Sequence, residues 1–216
     1  MKLEWLKVAV VIGAREHNPT VLHPAFLRSE GIVPDDWETA EDPVCTPAFA
    51  MVTYRNQVRF AVESSRLQVS DTRPGADLAG SPVAELATKY LQKLPHVRYT
   101  ELEFRFQAFH AHQSPAELLI GRFLQKGPWN TAPLTLDSLG MRFEYTVDQA
   151  LLDLFLDAGS LERDGEDRTG LIVNGVYSSE LAAEQPIVQA AEWLRRWPER
   201  CRHFLETTTT ILGIGN

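Results

Sequence analysis

A stretch of alternating residues at 98–112 limits the possible folds of this chain more than any other feature. Leu102, Phe104 and Phe106 alternate there with charged and polar residues, which is the period-2 pattern of a strand with one buried face and one wet face. The pattern predicts a central strand. The elements predicted before and after it follow in a similar order, so the strand divides the chain into two halves that look alike, 1–96 and 97–216.

Further segments of alternating or β-branched residues predict the rest of the sheet. Strands are expected at 7–15, 48–54, 58–63, 67–71, 141–147, 152–157 and 170–178. Apolar residues at helical spacing predict helices at 81–94, 114–124 and 186–211. Ser81 is a candidate N-cap of the first helix, and Pro198 should kink or restart the last one. The acidic segment 162–167 is expected to be a loop.

These elements predict one α+β domain over residues 1–216, in which two antiparallel β-meanders are joined through the central strand. About three helices would cover one face of the sheet, and the order of elements indicates a pseudo-duplication. The outline is similar to export-chaperone and helix-grip folds, a likeness of architecture that carries no function. The uncovered face would show mixed charges at Arg59, Glu63, Glu101, Glu103, Arg105, Arg142, Glu144, Asp153 and Asp157.

The segment 16–47 is rich in proline and is expected to form a packed arm. Each proline removes a backbone donor and fixes φ, so a regular element of any length is not expected there. The arm is nevertheless too apolar for a disordered linker, and we predict that it packs over the domain or over a neighbouring subunit. The threonine-rich segment 207–212 either ends the last helix or presents an edge to a partner. The candidate partner contacts are Phe26, Leu27, Trp37, Arg105 and Ile211.

The acidic balance of the chain bears on its partners and location. The formal net charge of −8 argues against a nucleic acid, because neutralising phosphates takes a surplus of Lys and Arg on one face. Cys45 and Cys201 have no companions at metal-ligand spacing, so we expect free thiols in a reducing cytoplasm. No stretch approaches the ~20 apolar residues that a membrane span needs, and the apolar run 8–14 is interpreted as a strand rather than as a signal peptide.

Three groups of residues form a recognisable set. They are His17-Asn18-Pro19 with Leu22, Pro24, Phe26-Leu27, Ile32-Val33-Pro34 and Trp37; Leu94-Pro95-His96-Val97-Arg98-Tyr99-Thr100; and Gly127-Pro128-Trp129. Together they resemble a sporadically distributed bacterial protein family of unknown function. The likeness covers most of the chain and implies no activity. In that family we expect Asn-Gly where this chain has Asn56-Gln57, a departure that bears only on the type of turn.

Two features carry candidate chemistry. His110 and His112 have a spacing that metal sites use, but no third ligand is placed by spacing, and the alternative is that they close the edge of the core. Glu101 and Glu103, with Arg105 and His110, could line an acid-base site, whereas strand neighbours of this kind usually form ion pairs across the ladder. The sequence holds no nucleophile elbow and no glycine-rich phosphate loop, so no cofactor is predicted.

Three functions stay open at this point. The first is a non-catalytic protein-interaction or assembly component that binds a protein partner or its own copies. The absence of a nucleophile, cofactor or metal signature favours it. The second is an enzyme with an acid-base site on the carboxylate-rich sheet face. The third is a chaperone-like binder of peptide segments, which requires an exposed apolar groove.

Overall fold

The structure is a computed structural model that describes residues 3–125, 127–130, 136, 138–163 and 165–214. Within these residues one antiparallel sheet of nine strands is accompanied by five α-helices. The strands are β1 (Glu4–Arg15), β2 (Val44–Cys45), β3 (Phe49–Thr53), β4 (Val58–Glu63), β5 (Arg66–Asp71), β6 (Arg98–Ala111), β7 (Gly140–Val147), β8 (Ala150–Arg163) and β9 (Glu166–Glu180). The helices are α1 (Pro24–Ser29), α2 (Val83–Lys93), α3 (Pro115–Phe123), α4 (Pro186–Arg195) and α5 (Trp197–Leu212).

The strands lie in the order β2-β3-β4-β5-β1-β6-β9-β8-β7. The predicted central strand is β6, which pairs with β1 on one side and with β9 on the other. Strands β3, β4 and β5 pair in chain order, and so do β7, β8 and β9. The predicted α+β class is confirmed, although five helices replace the expected three.

The core lies between the helices and one face of the sheet, here called the helix face. Phe60, Val69, Val10 and Phe104 stand side by side on four neighbouring strands and are fully buried. Aromatic contacts join the helices to this face: Tyr90 of α2 with Phe60, Phe123 of α3 with Phe143, Trp193 of α4 with Phe104, and Phe204 of α5 with Phe106. Alternation along each strand therefore sends every second side chain toward the helices.

The opposite face, here called the open face, carries the residues of the other parity. Among them are Lys7, Ala9 and Val11 of β1, Arg59 and Glu63 of β4, Gln68 and Ser70 of β5, Glu103, Arg105 and Gln107 of β6, Arg142 and Glu144 of β7, Asp153 and Asp157 of β8, and Asn174 and Val176 of β9. The charged residues predicted for the uncovered face all lie here, because each strand keeps the alternation that its sequence shows.

The arm at 16–47 packs on the chain's own core. Leu22, Leu27 and Ile32 are fully buried in it, while 40–48 are exposed. The expectation that the arm holds no regular element is wrong at α1. Pro24 occupies the first turn of that helix, where a missing N–H breaks no intrahelical hydrogen bond.

The described residues of the segment 162–167, which are 162–163 and 165–167, belong to the end of a long hairpin and do not form the expected loop. β8 continues to Arg163 and β9 starts at Glu166, so the hairpin extends beyond the partners β6 and β7. Its end is tied back to β1, because the carboxylate of Glu4 accepts hydrogen bonds from Arg163 at 2.8 Å and from Arg168 at 2.7 Å. Glu4 is far from this segment in the sequence, so its contacts with Arg163 and Arg168 leave no pattern in the segment itself. The acidic residues there consequently predict a loop.

Two helix boundaries also differ from expectation. Ser81 does not cap α2; its hydroxyl donates to Asp71 Oδ2 at 2.9 Å instead, and Pro82 occupies the N-cap position. The restart at Pro198 is confirmed, since α4 ends at Arg195 and α5 begins at Trp197.

A candidate binding surface on the open face

One row of side chains crosses the open face from β4 to β7. Cross-strand pairing places the following residues in register: Arg59, Ser70, Ala9, Arg105, Val176, Asp153 and Glu144. Neighbouring strands are about 4.8 Å apart, so Arg59 and Asp153 are separated by roughly 24 Å. The row therefore runs from a cation at one side of the sheet to carboxylates at the other.

The cationic half of the open face carries Lys7 on β1 and Arg59 on β4, beside an ion pair at 2.8 Å between Glu63 and Arg66. Neither Lys7 nor Arg59 forms an ion pair with another described residue, and Arg59 Nε donates to the Thr53 hydroxyl at 3.1 Å. Burial lowers the pKa of Lys7, and the positive charges of Arg59 and Arg105 lower it further. The two cations are close enough to repel each other and lack a counter-ion within the described chain.

The anionic half consists of Glu144 on β7 with Asp153 and Asp157 on β8. Arg142 reaches Asp153 Oδ1 at 2.8 Å and Glu144 Oε1 at 3.2 Å. Asp157 is exposed and forms no ion pair with a described residue. Two carboxylates thus share one guanidinium and the third is unpaired within the described chain, so this half keeps a negative balance.

The middle of the face is electrically balanced. Arg105 Nε donates to Glu103 Oε2 at 2.6 Å, which makes an ion pair along β6 between the two halves. A shallow hollow of about 240 Å³ lies beside this pair, lined in part by Lys7, Gln68 and Asn174. The hollow is lined by polar residues and by Ala9, Phe106 and Val176, and no catalytic groups converge in it.

The predicted acid-base set does not come together. Glu103 and Arg105 form the central ion pair, whereas Glu101 stands at the end of β6 opposite Glu180. His110 pairs with Leu171 on the helix face and is 1% exposed. The even and odd positions of one strand point to opposite faces, so His110 cannot share a cleft with the two glutamates.

The two histidines weighed as metal ligands have ring centroids 6.2 Å apart. Nδ1 of His112 accepts a hydrogen bond from the Ser114 N–H at 3.1 Å. In the part of the chain that the structure describes, no three His, Cys, Asp or Glu side chains are arranged to hold a metal ion. Cys45 and Cys201 are free thiols, and burial raises the pKa of Cys201.

The predicted partner contacts fall on separate surfaces. Phe26 packs edge-on against Tyr90, Trp37 packs against Tyr54, and Leu27 is fully buried. Ile211 lies half-buried in α5, where the threonine-rich segment continues the helix to Leu212. Only Arg105 of the five stands on the open face.

Lys7 is the residue of this surface that sequence reasoning missed. It precedes the apolar run of β1 and shares the parity of Ala9 and Val11, which is visible in the sequence. Its nearness to Arg59 and Arg105 depends on the pairing of β1 with β5 and β6, which are strands far away along the chain.

Comparison with known proteins does not connect this surface to a known family. No family model matches the chain, and no curated protein matches it significantly in sequence. Among the helices of the described residues, none is sufficiently long and apolar to cross a membrane. The chain is thus characterised by its antiparallel sheet, its helices on one face and the divided charge of the other.

Proposed function

We propose that this protein is a non-catalytic assembly protein whose open face binds a second copy of the same chain. The observation that carries the proposal is the division of charge on that face. Lys7 and Arg59 lie on one half without counter-ions among the described residues. On the other half Glu144 and Asp153 share Arg142, and Asp157 forms no ion pair with a described residue. Such a surface is complementary to itself.

The symmetry of a dimer follows from that division. A twofold axis parallel to the strands, placed between two facing sheets, sets the cationic half of one copy against the anionic half of the other. Sheets that pack face to face lie about 10 Å apart and within about 30° of alignment, which is close enough for long side chains to meet. Lys7 and Arg59 then gain the carboxylates that they lack within one chain.

The other two functions have weaker support. An acid-base enzyme needs carboxyl groups that converge in a pocket, but Glu103 is paired with Arg105 and His110 points to the opposite face. A peptide-binding chaperone needs a continuous apolar groove. The exposed large apolar side chains of the described residues instead lie on separate elements: Val44, Trp129, Tyr145, Leu151, Val188 and Leu205.

We further infer that the two halves are a duplication, and this rests on the order of elements. A lead strand, a helix, three strands and a helix occur as β1, α1, β3 to β5 and α2, and again as β6, α3, β7 to β9 and α4. In each half the third strand returns to pair with the lead strand, and the two lead strands pair with each other. An experimental structure whose halves do not superpose strand for strand would exclude a duplication. The likeness to export-chaperone and helix-grip outlines remains one of architecture.

Two charge-reversal variants test the self-association. K7E/R59E makes both halves of the open face negative, and D153K/D157K reverses the anionic half. We expect each variant alone to be monomeric, because equal charges then face each other across the twofold axis. Mixed together they should form a heterodimer, which light scattering after size exclusion measures.

Controls with the same change of net charge lie at exposed positions of α4 and α5 and in the turn before α4. R195E/R202E matches the first variant and E184K/E206K matches the second, and both should associate as the wild type does. Circular dichroism checks that each variant is folded. Charge-reversed variants that associate with themselves as strongly as the wild type would refute the proposed interface.

A further inference from the structure

A cleft of about 650 Å³ opens at the end of the sheet, where β1 finishes and β6 begins. The loop before β6 and the connection after β9 form its sides. Arg15, Arg98, Glu101 and Glu180 line it and are exposed. None of them belongs to the charged halves of the proposed interface, and the volume lies in the range of small-molecule sites, about 300–1,000 Å³.

The four charges are arranged as two pairs of like sign. Arg15 stands directly opposite Arg98 across β1 and β6, and Glu101 stands directly opposite Glu180 across β6 and β9. Like charges opposite each other destabilise a sheet, so this arrangement works against folding unless a ligand compensates it. None of the four forms an ion pair with any described residue, although both signs line one cleft.

Gly13 contributes to the position of the acidic pair. It stands opposite Glu101 on β1, and a β-carbon there would lie 2.5 Å from Glu101 Cγ. The absence of a side chain at residue 13 lets the Glu101 side chain lie over β1. The glutamate is thus held on the side of the cleft toward Arg15 without pairing with it.

The spacing of the two pairs limits the ligand. Arg98 and Glu101 are three residues apart on β6, and Arg15 is two residues from Gly13, which faces Glu101. At about 3.3 Å per residue the pairs are centred roughly 7–10 Å apart. An extended peptide spans at most about 3.3–3.6 Å per residue, so a peptide of about two or three residues bridges that distance with its ends.

We propose that this cleft binds a short peptide with free ends. Its C-terminal carboxylate lies between Arg15 and Arg98, whose guanidinium forks match a carboxylate, and its N-terminal ammonium lies between Glu101 and Glu180. An adjoining hollow of about 380 Å³ shares Arg15, His96, Val97 and Arg98 with the cleft. It leaves space for the last side chain of the peptide.

Isothermal titration calorimetry of the full chain with trialanine, N-acetyl-trialanine and trialanine amide tests this site. We expect saturable binding of trialanine. Blocking either end should weaken binding by about tenfold or more, since the arginine pair or the glutamate pair at that end then faces an uncharged group. In R15A/R98A the preference for trialanine over its amide should disappear. In E101Q/E180Q the preference for trialanine over its N-acetyl form should disappear. The two variants together thus show which charged pair binds which end of the peptide.

R195A/R202A removes two exposed arginines outside the cleft and should bind as the wild type does. Trialanine that fails to saturate in the millimolar range would overturn the proposal. So would equal binding of all three peptides, or unchanged preferences in both cleft variants. None of these variants changes Lys7, Arg59 or the carboxylates of β7 and β8, whose charges carry the proposed self-association. The two proposals are therefore tested separately.

Discussion

His17 is a buried histidine held in its neutral form. It is 3% exposed, its Nε2 lies 3.0 Å from the Tyr90 hydroxyl, and its Nδ1 has no hydrogen-bond partner among the described residues. Burial, with a smaller contribution from His96, lowers the pKa of His17 to about 4 from the ordinary 6.5. Between about pH 4 and pH 6.5 this imidazole is therefore mostly neutral in the folded chain and mostly protonated in the unfolded chain.

The free energy of unfolding should consequently fall as the pH drops from 6.5 to about 4. The shift in the pKa of His17 corresponds to roughly 3 kcal/mol over that interval. We expect His17→Gln to lose less stability than the wild type between neutral pH and about pH 4.5, as measured by urea unfolding.

His23 is exposed and provides the control. His23→Gln removes an imidazole but leaves His17 in place, so the loss of stability that His17 causes toward pH 4 should remain. If the free energy of unfolding depended on pH equally in His17→Gln and in the wild type, His17 would take up a proton as readily in the folded chain as in the unfolded chain. That result would contradict the prediction.

The docking of α5 on the sheet depends on close approach at Gly175 of β9. A β-carbon at residue 175 would overlap the ring of Phe204, which stacks on Phe106 with centroids 4.8 Å apart. The helix can lie this near only because the strand carries no side chain there. Gly121 of α3 is the opposite case, since a β-carbon there would meet nothing within 4 Å.

Gly175→Ala should lower the free energy of unfolding by about 1–3 kcal/mol, the usual cost of overpacking a core. Gly121→Ala should raise it by about 0.5–1 kcal/mol, because alanine restricts the unfolded chain and favours the helix. Urea unfolding measures both. Adding Phe204→Leu to Gly175→Ala should restore part of the loss. A Gly175→Ala chain as stable as the wild type would mean that α5 does not pack this closely.

The strands and their faces could be predicted from the sequence, because alternation is a local property. Leu102, Phe104 and Phe106 are buried as expected, and Glu103 and Arg105 share the open face. The order of the strands could not be predicted, since the sequence does not indicate which strand pairs with which. The end of the β8–β9 hairpin was missed for the same reason, as it is held by Glu4 of the first strand.

Over the whole molecule, the net charge of −8 conceals an uneven distribution. The open face separates Lys7 and Arg59 from the carboxylates of β7 and β8, and the end of the sheet gathers two arginines and two glutamates in one cleft. Both arrangements arise from cross-strand register. The sequence therefore indicated an uncovered face with mixed charges but did not place Lys7, Arg15, Arg98 or Glu180 on it. The candidate acid-base set joins positions that lie on opposite faces of one strand.

Light scattering of the wild-type chain over a range of concentrations tests the proposed assembly most directly. We predict a mass that rises from 24.3 kDa toward twice that value, because in the dimer each charged half of the open face meets the oppositely charged half of the other copy. A mass that stays at 24.3 kDa up to the solubility limit would contradict self-association through this face.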